Sequence, residues 1–81
     1  MISCEYHDYI EIVCTYNYRI RLTLDSGAGL EGIALDTERN QSREECIKIR
    51  GGNTDSLVVL DSITSMEVLV ENPHFNLVTF K

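Results

Sequence analysis

Between Met1 and Cys14 the chain carries three carboxylates, Glu5, Asp8 and Glu11, and two tyrosines, Tyr6 and Tyr9, with no lysine or arginine among them. Carboxylates attract cations, and tyrosines add rigid, amphipathic contact area that loses little entropy on binding. The chemistry open to this segment is recognition of a basic protein surface, with Glu5, Tyr6, Asp8, Tyr9 and Glu11 as the candidate partner-binding residues. A structural reading competes with it, in which the tyrosines seal one end of the fold and the acids merely face water.

Other chemistry fares worse. Nucleophilic catalysis needs a Ser, Cys or Thr beside a base, and the two histidines, His7 and His74, sit in no recognisable motif, so no enzyme is expected. Cys4-x2-His7 with Cys14 further on resembles part of a zinc site. Structural zinc takes four ligands, however, and the fourth would have to come from Cys46 or His74 by chance. Cys4 and Cys14 read better as small packing groups, and no cofactor is expected. Ser26-Gly27-Ala28-Gly29 lacks the lysine of a phosphate loop and reads as a turn. Glu44 and Glu45, adjacent on a strand, point to opposite faces and cannot share acid–base work. Arg19, Arg21, Lys48 and Arg50 could form a positive stripe, but cross-strand pairing with Asp25 or Glu31 is the preferred arrangement.

The whole chain is acidic, with 13 acids against seven bases and a formal charge of −6. Nucleic-acid affinity comes mainly from lysine and arginine neutralising phosphates, so direct binding to RNA or DNA is disfavoured. At 81 residues, 43% of them hydrophobic, the chain supports one small globular domain. No membrane span is expected, because none of its apolar runs approaches the roughly 18 residues needed. The acidic N-terminus has neither the basic nor the apolar region of a secretory signal. Three cysteines leave one unpaired under any intramolecular scheme, which points to reduced thiols and a cytoplasmic protein.

These residues must be positioned by a chain with mostly strand patterning. Residues 5–14 fit a helix, with Tyr6, Tyr9, Ile10 and Val13 on one face, Asp8 and Glu11 opposite, Glu5 on the rim and Ser3 as a cap. They also fit a strand by alternation and β-branched content. The helix is preferred, since acids in its first turn complement the dipole and the next strand has its own pattern. From Tyr18 to Asp25 apolar and polar residues alternate strictly. A glycine turn follows, then a strand over 30–36 in which Gly32 marks a bulge or bend. The polar residues 37–43 read as a loop. A strand over 44–50 turns Ile47 and Ile49 inward and leaves Cys46 half-buried. Gly51-Gly52-Asn53-Thr54 signals a hairpin into residues 56–61, whose Leu57-Val58-Val59-Leu60 run asks for cover on both faces. Residues 65–70 form the fifth strand, and 75–80 can add another or dock along an edge. The expected fold is a mainly β, strongly bent antiparallel five-stranded barrel with a short N-terminal helix, spanning residues 1–81 as one domain.

The run Ile2-Ser3-Cys4-Glu5-Tyr6-His7-Asp8-Tyr9-Ile10-Glu11-Ile12-Val13-Cys14, with Arg21-Leu22-Thr23-Leu24, Glu31-Gly32-Ile33-Ala34-Leu35-Asp36 and Leu60-Asp61-Ser62-Ile63-Thr64-Ser65-Met66, resembles the Rho-binding antiterminator (Rof) family of bacteria. The likeness covers roughly residues 2–68. It implies an Sm-like fold and a partner, the hexameric helicase Rho, bound at its N-terminal RNA-binding domain so that transcription termination is inhibited. It further implies that an acidic, tyrosine-bearing helix meets a basic, aromatic-lined surface built for single strands. Asp8 is the first choice for the dominant contact, and the free protein is expected to be a monomer. Two other functions fit a domain of this shape: an Sm-like RNA-binding or RNA-chaperone module, which the acidic N-terminus opposes, and a small regulatory subunit with a different protein partner.

Overall fold

The computed structural model describes the backbone of residues 4–80 and the side chains of residues 6–80. The order of elements is α1 (Cys4–Thr15), β1 (Arg19–Leu24), β2 (Gly29–Arg39), β3 (Glu45–Gly51), β4 (Thr54–Val59), a 3-10 turn (Leu60–Ser62), β5 (Ile63–Val68) and β6 (Leu77–Thr79). Among the described residues the strands form one antiparallel sheet in the order β4-β3-β2-β1-β5-β6. The five strands expected from the pattern are therefore joined by a sixth, because Leu77–Thr79 pairs with Ser65–Glu67 of β5. No helix among the described residues is long and apolar enough to cross a membrane.

The long strand β2 gives the sheet its bend. It pairs with β1 through Gly29–Ile33 and with β3 through Ile33–Arg39, and its register slips between Ala34 and Asp36. The irregularity expected at Gly32 thus lies three residues later, at Leu35. Gly32 serves instead as a close-crossing point: it is buried opposite Ile20, and a Cβ built there would lie 2.6 Å from the Arg50 carbonyl oxygen. β2 also runs to Arg39, so the loop read over 37–43 shrinks to residues 40–44, where Asn40 organises the turn. Its Oδ1 accepts the N–H groups of Ser42 (2.9 Å) and Glu44 (3.0 Å).

That compact turn explains a second difference. Cys46 is fully buried rather than half-buried, because residues 40–44 fold over it and its Sγ donates to the Glu44 carbonyl at 3.5 Å. Leu57 departs the other way and is 41% exposed. β4 is an edge strand covered on its inner face alone, so Val58 is buried while Leu57 faces outward beside Lys48.

The core gathers Ile20 and Leu22 of β1, Ala34 of β2, Ile47 and Ile49 of β3, Val58 of β4, Leu60 of the turn, Ile63, Met66 and Val68 of β5, and Phe80. Ile10 and Val13 of α1, 1% and 0% exposed, complete it from the open side of the sheet. Burial of the Ile10 and Val13 side chains is worth about 1.5–3 kcal/mol each and is what docks the helix. The end of α1 is a Schellman motif. Tyr18 N–H donates to the Val13 carbonyl (2.9 Å) and Asn17 N–H to that of Cys14 (3.3 Å), with Asn17 in the left-handed region at φ 51°. The Asn17 side chain also donates to the Ala34 carbonyl at 2.8 Å, which ties the helix end to β2.

Candidate functional site

Helix α1 divides the five candidate residues between two sides. Its apolar stripe carries Ile10 and Val13 inward, and the same side carries Tyr6 and Tyr9, both half-buried. Each tyrosine meets a phenylalanine from the C-terminal segment edge to face: Tyr6 and Phe80 at 5.1 Å between ring centroids and 67°, Tyr9 and Phe75 at 4.8 Å and 68°. These rings fasten the helix to the end of the chain, and such pairs add about 0.5–1.5 kcal/mol beyond their buried area. Both tyrosines thus pack the helix against the C-terminal segment while staying half-exposed. The side chain of Glu5 lies outside the described residues, as does Ser3, the expected cap.

Asp8 and Glu11 lie on the opposite side, three residues apart and so on one helical face, and both are exposed. No ion pair or hydrogen bond engages either carboxylate among the described residues. Elsewhere the charges are heavily paired. On the outer face of the sheet Glu31 meets Arg19 at 3.1 Å and Arg21 at 3.3 Å, and Arg21 also meets Glu67 at 3.1 Å. Lys48 meets Glu38 at 3.2 Å and Arg50 meets Asp55 at 2.8 Å. The Arg50 guanidinium holds the Asp55 carboxyl below the usual carboxylate range. The cross-strand pairing read for Arg19 and Arg21 with Glu31 is therefore present, as register dictates: Arg21 stands directly opposite Glu31 on β2 and Glu67 on β5.

His7 points away from both sides and meets Glu45 of β3 at 3.0 Å. With Arg39, Arg43, Glu44, Leu60 and Asp61, this pair borders a cleft of about 200 Å³. Cys14 faces a different groove, beside Glu11 and Asp36, so among the described residues His7 and Cys14 do not converge, and no three His, Cys, Asp or Glu side chains could hold a metal. Nor is any polar or charged side chain buried among the described residues. Burial and the negative charge of Asp36 push the Cys14 thiol up to about 11. A rise of two units above the ordinary value leaves about 100-fold less thiolate at pH 8. Alkylation of Cys14 by iodoacetamide in the folded protein should slow accordingly, and should match the rate of a free thiol once denaturant is added.

A shallow groove of about 350 Å³ runs beside the acidic face, lined by Asp8, Glu11, Ile12, Thr15, Tyr16 and His74. Sequence reasoning missed Tyr16 and His74 as parts of one surface. They are far apart in the chain, and the signals that join them are local: the Asn17 cap, which turns the chain after α1, and Asn72 before Pro73. Asn72 Oδ1 accepts the N–H groups of His74 (2.8 Å) and Phe75 (3.1 Å), while its Nδ2 donates to the carbonyls of Val70 (3.0 Å) and Phe75 (3.1 Å). That bracket sends Phe75 inward to Tyr9 and lays His74 against Tyr16, 5.1 Å between ring centroids and 28° from parallel.

Comparison with known proteins gives the chain a context. A family model described as modulator of Rho-dependent transcription termination (ROF) matches residues 1–80. The structure of YaeO bound to magnesium from Vibrio cholerae O395 is similar to this chain at a TM-score of 0.89 and 43% identity, over 91% of this chain and 96% of that one. A search of curated proteins returned no match.

Proposed function

The chain belongs to the family of modulators of Rho-dependent transcription termination, and from that premise we propose that it inhibits termination by binding the N-terminal RNA-binding domain of hexameric Rho and competing with RNA for the primary site. The observation that carries this reading is the contrast in charge: Asp8 and Glu11 are exposed on α1 and unengaged among the described residues, while Arg19, Arg21, Lys48 and Arg50 are tied up in ion pairs on the outer sheet. A basic groove shaped for phosphates gains new partners from the two acids without first breaking an existing pair. The engaged bases leave the protein poorly suited to hold RNA itself. Glu5 extends the acidic edge in this reading, and Tyr6 and Tyr9 contribute their outer edges while holding the helix in place.

The free protein acts as a monomer in the cytoplasm, with one acidic face for each contact on Rho. The test is displacement of a fluorescent cytidine-rich RNA from Rho, followed by anisotropy. Added protein should release the RNA in proportion to its occupancy of Rho and should raise read-through at a Rho-dependent terminator. Tight binding of the same RNA by this protein alone, or an undisturbed Rho–RNA complex at saturating protein, would overturn the proposal.

A further inference from the structure

Tyr16 is 56% exposed, an unusual setting for a ring that also meets two others. It stacks on Tyr18 at 5.4 Å between centroids and 19°, and on His74 at 5.1 Å and 28°. The three rings are therefore a prearranged platform rather than a loose tyrosine, anchored at one end by the left-handed Asn17 and at the other by the Asn72 bracket. The platform forms one wall of the groove that Asp8 and Glu11 also line. An aromatic wall and two unengaged carboxylates in one shallow groove differ from an acidic surface in general: they ask for a cation that is also flat.

We infer that this groove receives an arginine side chain of the partner protein, its guanidinium lying against the Tyr16–His74 platform and its N–H groups donating to Asp8 and Glu11. This rests on the reading under Proposed function and deepens it by naming the side chain recognised. Guanidinium suits the groove for two reasons that ammonium lacks. It is planar and weakly hydrated, so it stacks on aromatic faces, and its fork of donors can serve a carboxylate with two bonds at once. A nucleobase would also stack on the rings, but the phosphates flanking it would be brought up against Asp8 and Glu11. The groove is shallow and open, which fits a projecting side chain better than a buried small molecule. Its walls come from α1, the turn after it and the turn over residues 72–75, so it forms only when the C-terminal segment is docked.

Two measurements test this. The first is binding to Rho by the full chain carrying Tyr16→Ala, Tyr16→Phe or Asp8→Asn. Tyr16→Ala should weaken binding about tenfold, between the sizes of an exposed and a fully desolvated cation–π contact, and Tyr16→Phe should restore it. The double variant Tyr16→Ala with Asp8→Asn should lose less than the product of the single losses, since both hold the same group. The second is NMR titration of the free protein with acetyl-arginine methylamide, acetyl-lysine methylamide and a short cytidine oligonucleotide. The arginine compound should shift the ring signals of Tyr16 and His74 more than the lysine compound, and the shifts should vanish in Asp8→Asn with Glu11→Gln. Equal response to lysine, no response in the groove, or a stronger response to the oligonucleotide would overturn the inference. If the acids prove essential for Rho binding while Tyr16→Ala binds normally, the groove fails and the antiterminator reading survives. If the arginine compound docks but Rho does not bind at all, that reading fails and the groove stands.

Discussion

Replacing Gly32 by alanine is expected to cost about 3 kcal/mol or more, at the upper end of what overpacking costs in a core. The position has no room for even one methyl group. A Cβ there would lie 2.6 Å from the Arg50 carbonyl oxygen, 2.9 Å from its carbon and 3.3 Å from Gly51 nitrogen. All three are backbone atoms of β3, so relief requires that the β2 and β3 ladders separate where β2 changes partners, between Ile33 opposite Arg19 and Ile33 opposite Arg50. A side chain elsewhere could rotate aside; a hydrogen-bonded strand cannot. For a domain of this size the loss corresponds to roughly 12–24 °C in melting temperature. Gly29→Ala is the matched control, because its Cβ would meet the Leu22 carbonyl oxygen at an ordinary 3.8 Å. It should change stability by no more than about 0.5 kcal/mol. Thermal melts followed by circular dichroism measure both, and equal melting temperatures for the two variants would contradict the steric account.

Gly32 also illustrates how far this fold was legible beforehand. The glycine stood out inside an otherwise regular strand, which correctly marked a special backbone position. Which of two reasons applied, a bulge or a close approach, depends on β3, and no local pattern reports a neighbour that arrives later in the chain. The strand run from Tyr18 to Asp25 was clear because one face is buried and one is solvated, the condition under which a period of two appears. The Leu57–Leu60 run was misleading for the complementary reason: four apolar residues suggested a central strand, yet β4 is an edge, and Leu57 stands opposite Lys48 and is left exposed instead of entering the core. Cys46 looked like a surface-facing member of an alternating strand and is buried by a loop whose compactness comes from Asn40.

The helix shows the same division. Its apolar stripe and its acids were both readable, and so was the segregation of Asp8 and Glu11 from Ile10 and Val13. The two roles weighed for Tyr6 and Tyr9, contact with a partner or closure of one end of the fold, could not be separated, because the rings they meet, Phe80 and Phe75, belong to a segment whose docking was left open. Those two phenylalanines, with Asn72 setting the approach of Phe75, make both tyrosines fasteners of the helix. In the proposed function the face offered to a partner is correspondingly narrower and more acidic than the five-residue cluster suggested, and it is bordered by Tyr16 and His74.

On that narrower face, neutralising both free acids should have the largest effect on binding of any conservative change. Asp8→Asn together with Glu11→Gln is expected to lower affinity for Rho about 100-fold, with Asp8→Asn alone accounting for about 2 kcal/mol, or roughly 30-fold. The size follows from what each acid does when the surfaces close. An exposed ion pair contributes only about 0.2–1 kcal/mol, but a base desolvated in the interface and stripped of its partner costs 2 kcal/mol or more. Neither carboxylate has an ion-pair or hydrogen-bond partner among the described residues, so their loss costs the fold little beyond a small helix-dipole contribution, and the melting temperature should stay within a few degrees. The complex formed by the unaltered protein should weaken with salt, since steering by opposite charges is screened over about 8 Å at physiological ionic strength, and the double variant should show a shallower salt dependence. Glu67→Gln separates local from global charge. It changes net charge by the same amount as either single substitution, but Glu67 already engages Arg21 at 3.1 Å on the outer face of the sheet. If affinity followed overall charge alone, Glu67→Gln would weaken binding as much as Asp8→Asn; if it follows geometry at the helix, Glu67→Gln binds Rho and suppresses termination as the unaltered protein does, and the acids of α1 are where recognition resides.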